Sequence, residues 1–352
     1  MNMNVVDLPV MPPLEPMLAK AQTSVPTDPG TWSYEPKWDG FRALVFRDGD
    51  AVVLLSRSGK DLGRYFLEVV EAVRAEITPR CVLDGEIVVP RDIAGRTRLD
   101  WESLSQRIHP AESRITKLSK ETPAHFIGFD ALALGDTSLM EDPFRLRREA
   151  LIDAVDERDW CHVTRTTEDA RLGAQWLREF EGAGLDGVIA KRVEGPYLPG
   201  KREMVKVKHH RDADCVAIGY RIHKSGEGIG SILLGLYRDD GELQMVGGAA
   251  SFTAKARLSL LAELEPLRIG DDVRDGEPSR WNSAADKRWI PVRPERVCEV
   301  AYDQMEGNTG ERRFRHAVKF MRWRPDRDPS SCTFDQLDVP MNYDLRDVLE
   351  TR

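Results

Sequence analysis

The sequence predicts an α+β protein of two domains: a larger one in which antiparallel sheets carry flanking helices, and a smaller C-terminal β-barrel. Three observations lead there. The chain has 352 residues, too many for one average domain and enough for two sizeable cores. From Trp32 onward, short β-rich runs alternate with helix-spaced runs. Beyond the polar stretch His209–Asp214, about five short strands and one helix fill roughly 115 residues, which suits a small barrel.

Residues 1–30 are rich in proline and lack periodicity, so they predict an extended arm lying across the first domain, which then covers 31–210. Ala43–Phe46 and Val52–Leu55 flank Asp48-Gly49-Asp50 and read as a hairpin. Leu62–Ile77 spaces Phe66, Val69, Val70, Val73 and Ile77 as a helix does, and Cys81–Val89 is strand-like. Helices follow at Phe144–Val155 and Thr167–Glu181, with strands at Ala124–Phe129, Gly187–Lys191 and Met204–Lys208. In the second domain, 211–328, strands are predicted at Val216–Ile222, Ser231–Tyr237, Leu243–Val246 and Val297–Tyr302, and a helix over Phe252–Leu264. Gly226-Glu227-Gly228-Ile229-Gly230 lies between strands, without the strand-turn-helix setting of a dinucleotide fingerprint, and predicts a mobile hairpin. Residues 329–352 have mixed charge and little periodicity and read as a tail packed on the surface.

Five scattered cysteines without a C-x-x-C pair suggest neither a zinc site nor a disulfide framework and fit a reducing cytoplasm. His209, His210 and His316 have no convincing metal spacing. The N-terminus has acids and prolines where a signal peptide needs a basic and an apolar stretch, and no apolar run approaches the ~18 residues of a membrane span. The net charge is -8, yet its distribution is uneven. From Lys191 to Asp212 seven basic residues face three acids, a local +4, and from Arg312 to Arg327 seven face one, a local +6. Such runs are often solvated faces; they are also what polyphosphate or nucleic acid requires.

Lys37-Trp38-Asp39-Gly40-Phe41-Arg42 sets a lysine at a predicted strand end beside an acidic-glycine turn and an arginine. A lysine amine, protonated in water with a pKa near ~10.4, attacks phosphorus only where its surroundings favour the neutral form. Alone, the segment reads equally well as a hairpin turn with solvated charges.

Further segments follow in order: Ser56-Arg57-Ser58-Gly59, Leu83-Asp84-Gly85-Glu86-Ile87-Val88, Phe129-Asp130, Asp186-Gly187-Val188-Ile189-Ala190-Lys191, Met204-Val205-Lys206-Val207-Lys208, and Arg315 to Asp326. With the Lys37 segment, this series resembles the nucleotidyltransferase motifs of ATP-dependent DNA ligases and mRNA-capping enzymes. Leu14-Glu15-Pro16-Met17-Leu18-Ala19 and Tyr197-Leu198-Pro199-Gly200-Lys201-Arg202 look most like bacterial ligase C and the ligase module of ligase D. The absence of a long extension before the motifs argues against a eukaryotic-type ligase.

The resemblance implies a nucleotidyltransferase domain followed by an OB-fold barrel, acting as a monomer on nicked double-stranded DNA, with bacterial end-joining or excision-repair proteins as possible partners and no membrane. It implies ATP as cofactor, becoming AMP on Lys37, with Mg2+ or Mn2+. Catalytic roles fall on Lys37, Lys206, Lys208, Arg324 and Asp326, the last two orienting pyrophosphate. Glu35, Arg42, Arg57, Glu86, Phe129, Lys191, Lys206 and Lys208 would bind the nucleotide, with Phe129 stacking on adenine and Lys191 reaching the α-phosphate. Glu86 and Asp186 would meet the metal; Glu86 could instead bind ribose, and Asp186 is shorter than the glutamate common in the family. Arg202, Lys208 and Arg322 would contact DNA. Met204 stands where the family often has an aromatic residue, and Arg327 where many ligases have lysine. An RNA ligase or a capping guanylyltransferase would use the same chemistry. A non-catalytic nucleic-acid-binding module would not need the nucleophile.

Overall fold

The computed structural model describes residues 6–93, 95–209, 211–275, 288–306, 312–337 and 342–349. His210 and parts of the arm and tail lie outside them. Two compact units result, Met1–Lys208 with Pro340–Arg352, and His209–Val339.

The strands of the first unit are β1 (Leu18–Gln22), β2 (Trp32–Pro36), β3 (Phe41–Asp48), β4 (Ala51–Ser56), β5 (Arg80–Val88), β6 (Pro90–Ile93), β7 (Arg96–Leu99), β8 (His125–Leu134), β9 (Thr137–Ser138), β10 (Cys161–Val163), β11 (Val188–Arg192) and β12 (Arg202–Val207). Its first five helices are α1 (Leu67–Glu76), α2 (Trp101–Gln106), α3 (Glu112–Glu121), α4 (Phe144–Ala154) and α5 (Ala170–Glu179). One sheet runs β1-β12-β11-β2 and another β10-β8-β5-β3-β4, with β9 on β8. Both are mixed rather than purely antiparallel, because β1 pairs parallel with β12 and β10 parallel with β8. Parallel neighbours need a long crossover: α4 lies on the path from β8 to β10, and β1 comes from the distant arm.

The β3–β4 hairpin turns at Gly49, whose φ of 60° suits glycine. Helix α1 begins later than its apolar spacing suggests, with Phe66 as N-cap, and buries Val69, Ala72 and Val73. The unanticipated α2 is started by Asp100, whose side chain accepts from the Ser103 N–H. Helix α3 buries only Ile115 and Leu118, too little to register as a pattern. Phe66, Val69, Leu83, Phe126 and Leu151 form one core. Tyr34, Val188 and Val205 of the first sheet meet Val88, Ile127 and Phe129 of the second in another. Arm residues Val6, Leu8, Val10 and Met17 pack with Leu44, Phe46 and Tyr197.

The second unit holds β13 (Arg211–Ile222), β14 (Ile229–Tyr237), β15 (Leu243–Ala249), α6 (Ala254–Leu264), β16 (Ile290–Pro291), β17 (Val297–Tyr302), β18 (Met305–Glu306), β19 (Arg313–Phe314) and β20 (Lys319–Trp323). The order β15-β14-β13-β17-β20 closes on itself: Val318 N–H donates to the Gly248 carbonyl at 3.0 Å, and Ala250 N–H to the Val318 carbonyl at 3.3 Å. Five strands closed in this order, with a helix between the third and fourth, make an OB-fold barrel. Its core includes Cys215, Tyr220, Leu234, Val246, Leu264 and Val300.

The stretch beyond Asp328 supplies two anchors. Cys332 and Leu337 are buried in the barrel core, while α7 (Leu345–Leu349) puts Leu345 and Val348 into the core that joins the two sheets. Each anchor has too few apolar residues to show periodicity. No helix among the described residues is long and apolar enough to cross a membrane.

Candidate active site

Lys37 follows β2, and its main chain is tied to the segment entering β11. Its N–H donates to the Gly187 carbonyl at 2.9 Å, and the Asp186 N–H donates to the Lys37 carbonyl at 2.9 Å. The two side chains therefore meet, with Lys37 Nζ 2.6 Å from Asp186 Oδ2. Lys208, just past β12, reaches the same oxygen at 2.9 Å. Burial pushes the Asp186 carboxyl up, but Lys37 and Lys208 outweigh it and hold the group below its ordinary value. Two glycines permit this approach. A Cβ on Gly187, whose φ is 133°, would stand 2.1 Å from the Val207 carbonyl oxygen; one on Gly40 would stand 2.1 Å from that of Ile87 and 2.9 Å from Glu86 Cγ.

Lys37 opens on a cavity of about 370 Å³, within the range of small-ligand sites, while Asp186 and Lys208 stand behind it and do not line the cavity. The first sheet contributes Leu18, Ala19, Glu35, Pro36, Ile189, Arg202, Met204 and Lys206; the second contributes Arg42, Glu86 and Phe129; Lys37 and Trp38 lie in the turn between, with Arg57 on an exposed loop. Most nucleotide-binding residues expected from the sequence thus converge on one cavity. Trp38, not singled out by sequence, is held by its Nε1 donating to Thr164 Oγ1 at 2.8 Å.

One end of the cavity is cationic. Burial, then Lys208, Lys37 and Arg202, lower the Lys206 ammonium, against the pull of Asp186. Clustered cations of this kind suit a polyphosphate.

The other end is aromatic and acidic. Phe129 is the extra residue of a β-bulge: Asp84 pairs with Asp130 and Gly85 with Gly128, leaving Phe129 without an opposite partner. A bulge re-aims a side chain, and here the ring reaches the cavity. Glu35 is buried, and its Oε2 has no hydrogen-bond partner. Burial pushes its carboxyl up, against Lys191. A carboxylate is an acceptor, so the orphaned oxygen fits an amino donor such as that of adenine.

Lys191 departs from its expected place. It is only 2% exposed, donates to the Phe129 carbonyl at 2.6 Å, and lies 3.0 Å from Glu35 Oε1 and 3.7 Å from Asp130 Oδ2. It does not line the main cavity; its ammonium lies behind Glu35 and Phe129.

Arg42 and Glu86 are cross-strand partners on β3 and β5. Arg42 pairs bidentately with the fully buried Asp84, at 2.5 and 2.6 Å. Its guanidinium sits 4.6 Å from the centre of the Phe129 ring. Burial would lower the guanidinium, but Asp84 holds it above its ordinary value. Asp84 was missed by sequence, though it stands two residues before Glu86 and so shares its strand face. Glu86 accepts from the Gly40 N–H at 3.2 Å, and burial pushes its carboxyl up to about 7.

Among the described residues no three His, Cys, Asp or Glu side chains gather as a metal cage, so Glu86 and Asp186 would supply a carboxylate or two. That fits Mg2+, which keeps waters and takes its other ligands from phosphates.

In the barrel, Arg324 pairs with Asp326 at 2.8 Å and with Asp214 at 3.0 Å, the latter an anchor not foreseen from sequence. Arg324 holds the Asp326 carboxyl down at about 2. Arg322 is exposed and meets Glu299 at 2.7 Å.

The sequence matches the family ATP dependent DNA ligase domain over residues 16–208 and the family ATP dependent DNA ligase C terminal region over residues 225–327. It is 80% identical over 346 residues to DNA ligase C1 of Mycolicibacterium smegmatis, covering 98% of this chain and 99% of that protein. It is 51% identical over 365 residues to DNA ligase C of Mycobacterium tuberculosis, with 98% and 99% covered. A solved Lig E DNA ligase shares the fold, with a TM-score of 0.54 at 16% identity over 91% of this chain and 100% of that one. Relatives of this kind leave the RNA-ligase, capping and non-catalytic readings without support. With a lysine amine presented among cations at a nucleotide-sized cavity, and both halves of the chain matched, the chain belongs to the ATP-dependent DNA ligases.

Proposed function

We propose that Lys37 is the nucleophile of nick sealing and that the cavity binds ATP with its base at the Glu35–Phe129 end and its phosphates at the Lys206–Lys208 end. The observation that carries this reading is the convergence of Lys37 and Lys208 on one oxygen of Asp186. Asp186 holds the amine at the mouth of the cavity while Lys206 and Lys208 draw the α-phosphate toward it. Once the Lys37 ammonium has lost a proton, its neutral Nζ attacks the α-phosphorus, the bond to pyrophosphate breaks, and the nitrogen gives up a second proton, leaving AMP on it. An oxygen of the nick's 5′-phosphate then displaces the lysine, and the 3′-hydroxyl displaces AMP to seal the strand.

Glu86 and Asp186 would hold a magnesium or manganese ion, which when bound neutralises phosphate charge. Arg324 and Asp326 orient pyrophosphate, and Arg202, Lys208 and Arg322 meet the backbone of nicked double-stranded DNA. Repair of chromosomal breaks or excision gaps is the setting we assign. The test is incubation with labelled ATP and a denaturing gel: parent protein carries covalent AMP, and Lys37→Ala does not. Labelled Lys37→Ala would remove the assignment.

A further inference from the structure

Away from the groups that line the cavity, the Tyr197 hydroxyl ties two distant segments together. It accepts from the Met17 N–H at 2.9 Å and donates to Asp84 Oδ2 at 2.6 Å. Asp84 in turn holds Arg42 through both carboxylate oxygens, and Arg42 Nη2 donates back to the Met17 carbonyl at 3.3 Å. Both polar groups of Met17 are therefore gripped, one by Tyr197 and one by Arg42. The next two residues, Leu18 and Ala19, line the cavity, as does Arg42 itself. Tyr197, Asp84 and Met17 are 1%, 0% and 3% exposed, so water cannot replace a lost bond at little cost. Burial, reinforced by Asp84, keeps the hydroxyl protonated and thus a donor. The far side of the ring faces Arg147, 5.8 Å from its centre, and Arg147 pairs with Asp130 at 2.7 Å. Tyr197 therefore stands between two buried ion pairs, one ending at Arg42 and the other at the Lys191–Glu35 group.

We infer that Tyr197 is a positioning residue for the nucleotide site: its hydroxyl fixes the Met17 peptide and the Asp84 carboxylate, and through them the Leu18–Ala19 wall and the Arg42 guanidinium. The residue does not touch the cavity and acts only through these neighbours. The inference rests on the reading that the cavity binds ATP.

The test is AMP labelling of the full chain across ATP concentrations for Tyr197→Phe, Asp84→Asn and the double variant, with Lys37→Ala as control. Tyr197→Phe keeps the ring and removes only the hydroxyl, so KM for ATP should rise about tenfold while kcat stays within about twofold, the signature of weakened ground-state binding. A purely structural role would instead lower kcat in proportion to the folded fraction, with KM fixed, and that outcome overturns the inference. Because Tyr197 acts in part through Asp84 and in part through Met17, the double variant should raise KM by less than the product of the two single effects; full additivity overturns the Asp84 route. Should Tyr197→Phe unfold, Asp84→Asn still decides the route to Arg42: a KM for ATP equal to the parent's overturns positioning through Asp84. Unchanged KM in Tyr197→Phe with no labelling of Lys37→Ala overturns the positioning role alone. Labelled Lys37→Ala overturns the assignment of the cavity beneath it.

Discussion

Lys37 and Lys191 both come from motif segments and both face carboxylates, yet their surroundings are opposites. Lys191 is sealed in, with the Phe129 carbonyl, Glu35 and Asp130 around its ammonium and the rings of Phe129 and Phe144 at 4.8 and 4.7 Å. Lys37 has a side chain 21% exposed and shares its carboxylate oxygen with a second ammonium. A cation whose charge is matched on every side is a building element; one that competes for its counterion at the edge of a cavity is available to a new anion. The difference is set by depth and by partners, neither of which a motif records.

The largest expected effect follows for the available lysine. Lys37→Ala should lower AMP labelling by more than ~1000-fold, while sealing of a nick that already carries a 5′-adenylate continues and the melting temperature holds. A variant equally dead in both assays would point to a damaged site rather than a missing nucleophile.

The contrast sharpens with a matched pair. Lys191→Met strands Glu35 in the interior, while Asp130 keeps Arg147, and breaking a buried ion pair in this way costs roughly 3–5 kcal/mol, readable as a large drop in melting temperature. Lys206→Ala should leave the melting temperature near the parent's and slow labelling by about 100-fold, with sealing of preadenylated DNA also slowed, because the α-phosphate is common to both reactions. Full stability in Lys191→Met would break the comparison.

A smaller, step-selective effect is expected from the barrel. Arg324→Ala should slow labelling by about 10- to 100-fold and leave sealing of preadenylated DNA close to the parent rate, since pyrophosphate leaves only in the first step. Equal slowing of both would make Arg324, with its partners Asp214 and Asp326, a DNA contact or a support for the barrel.

Much of this site was legible in the chain because the chemistry needs particular residue types in order: Glu35, Lys37, Arg42, Arg57, Glu86, Phe129, Arg202 and Lys206 all border one cavity. Apolar spacing located α1, α4 and α5, and the strand runs located most of the barrel. What was not legible is set across strands. The bulge that turns Phe129 is a register property of β5 and β8. The Tyr197–Asp84–Met17 contacts join three segments far apart in sequence. Alternation along β11 puts Ile189 and Lys191 on the same face, but only the packing of Glu35, Phe129 and Phe144 decides that Ile189 borders the cavity while Lys191 is closed off behind it.

The smallest effect concerns the Glu86 carboxylate on the cavity wall. Burial lifts Glu86 from an ordinary 4.5 to about 7, so between those values the folded protein binds a proton that the unfolded chain has lost. Stability attributable to this group is then greatest below about pH 4.5, falls as pH rises toward 7, and stays low above it. Glu86→Gln carries no charge and can still accept from the Gly40 N–H. In metal-free buffer it should therefore be more stable than the parent at pH 8, by about 1–3 kcal/mol after allowance for solvent screening, and equal to it near pH 4.5. The same substitution should weaken labelling with magnesium and ATP, because the carboxylate that costs stability is the one assigned to ribose or metal. Thermal melts of both proteins across this pH range decide it: a constant offset would mean that Glu86 does not titrate between its folded and unfolded values, and a Glu86→Gln protein less stable at pH 8 would mean that Arg42 and Lys37 already repay its burial in full.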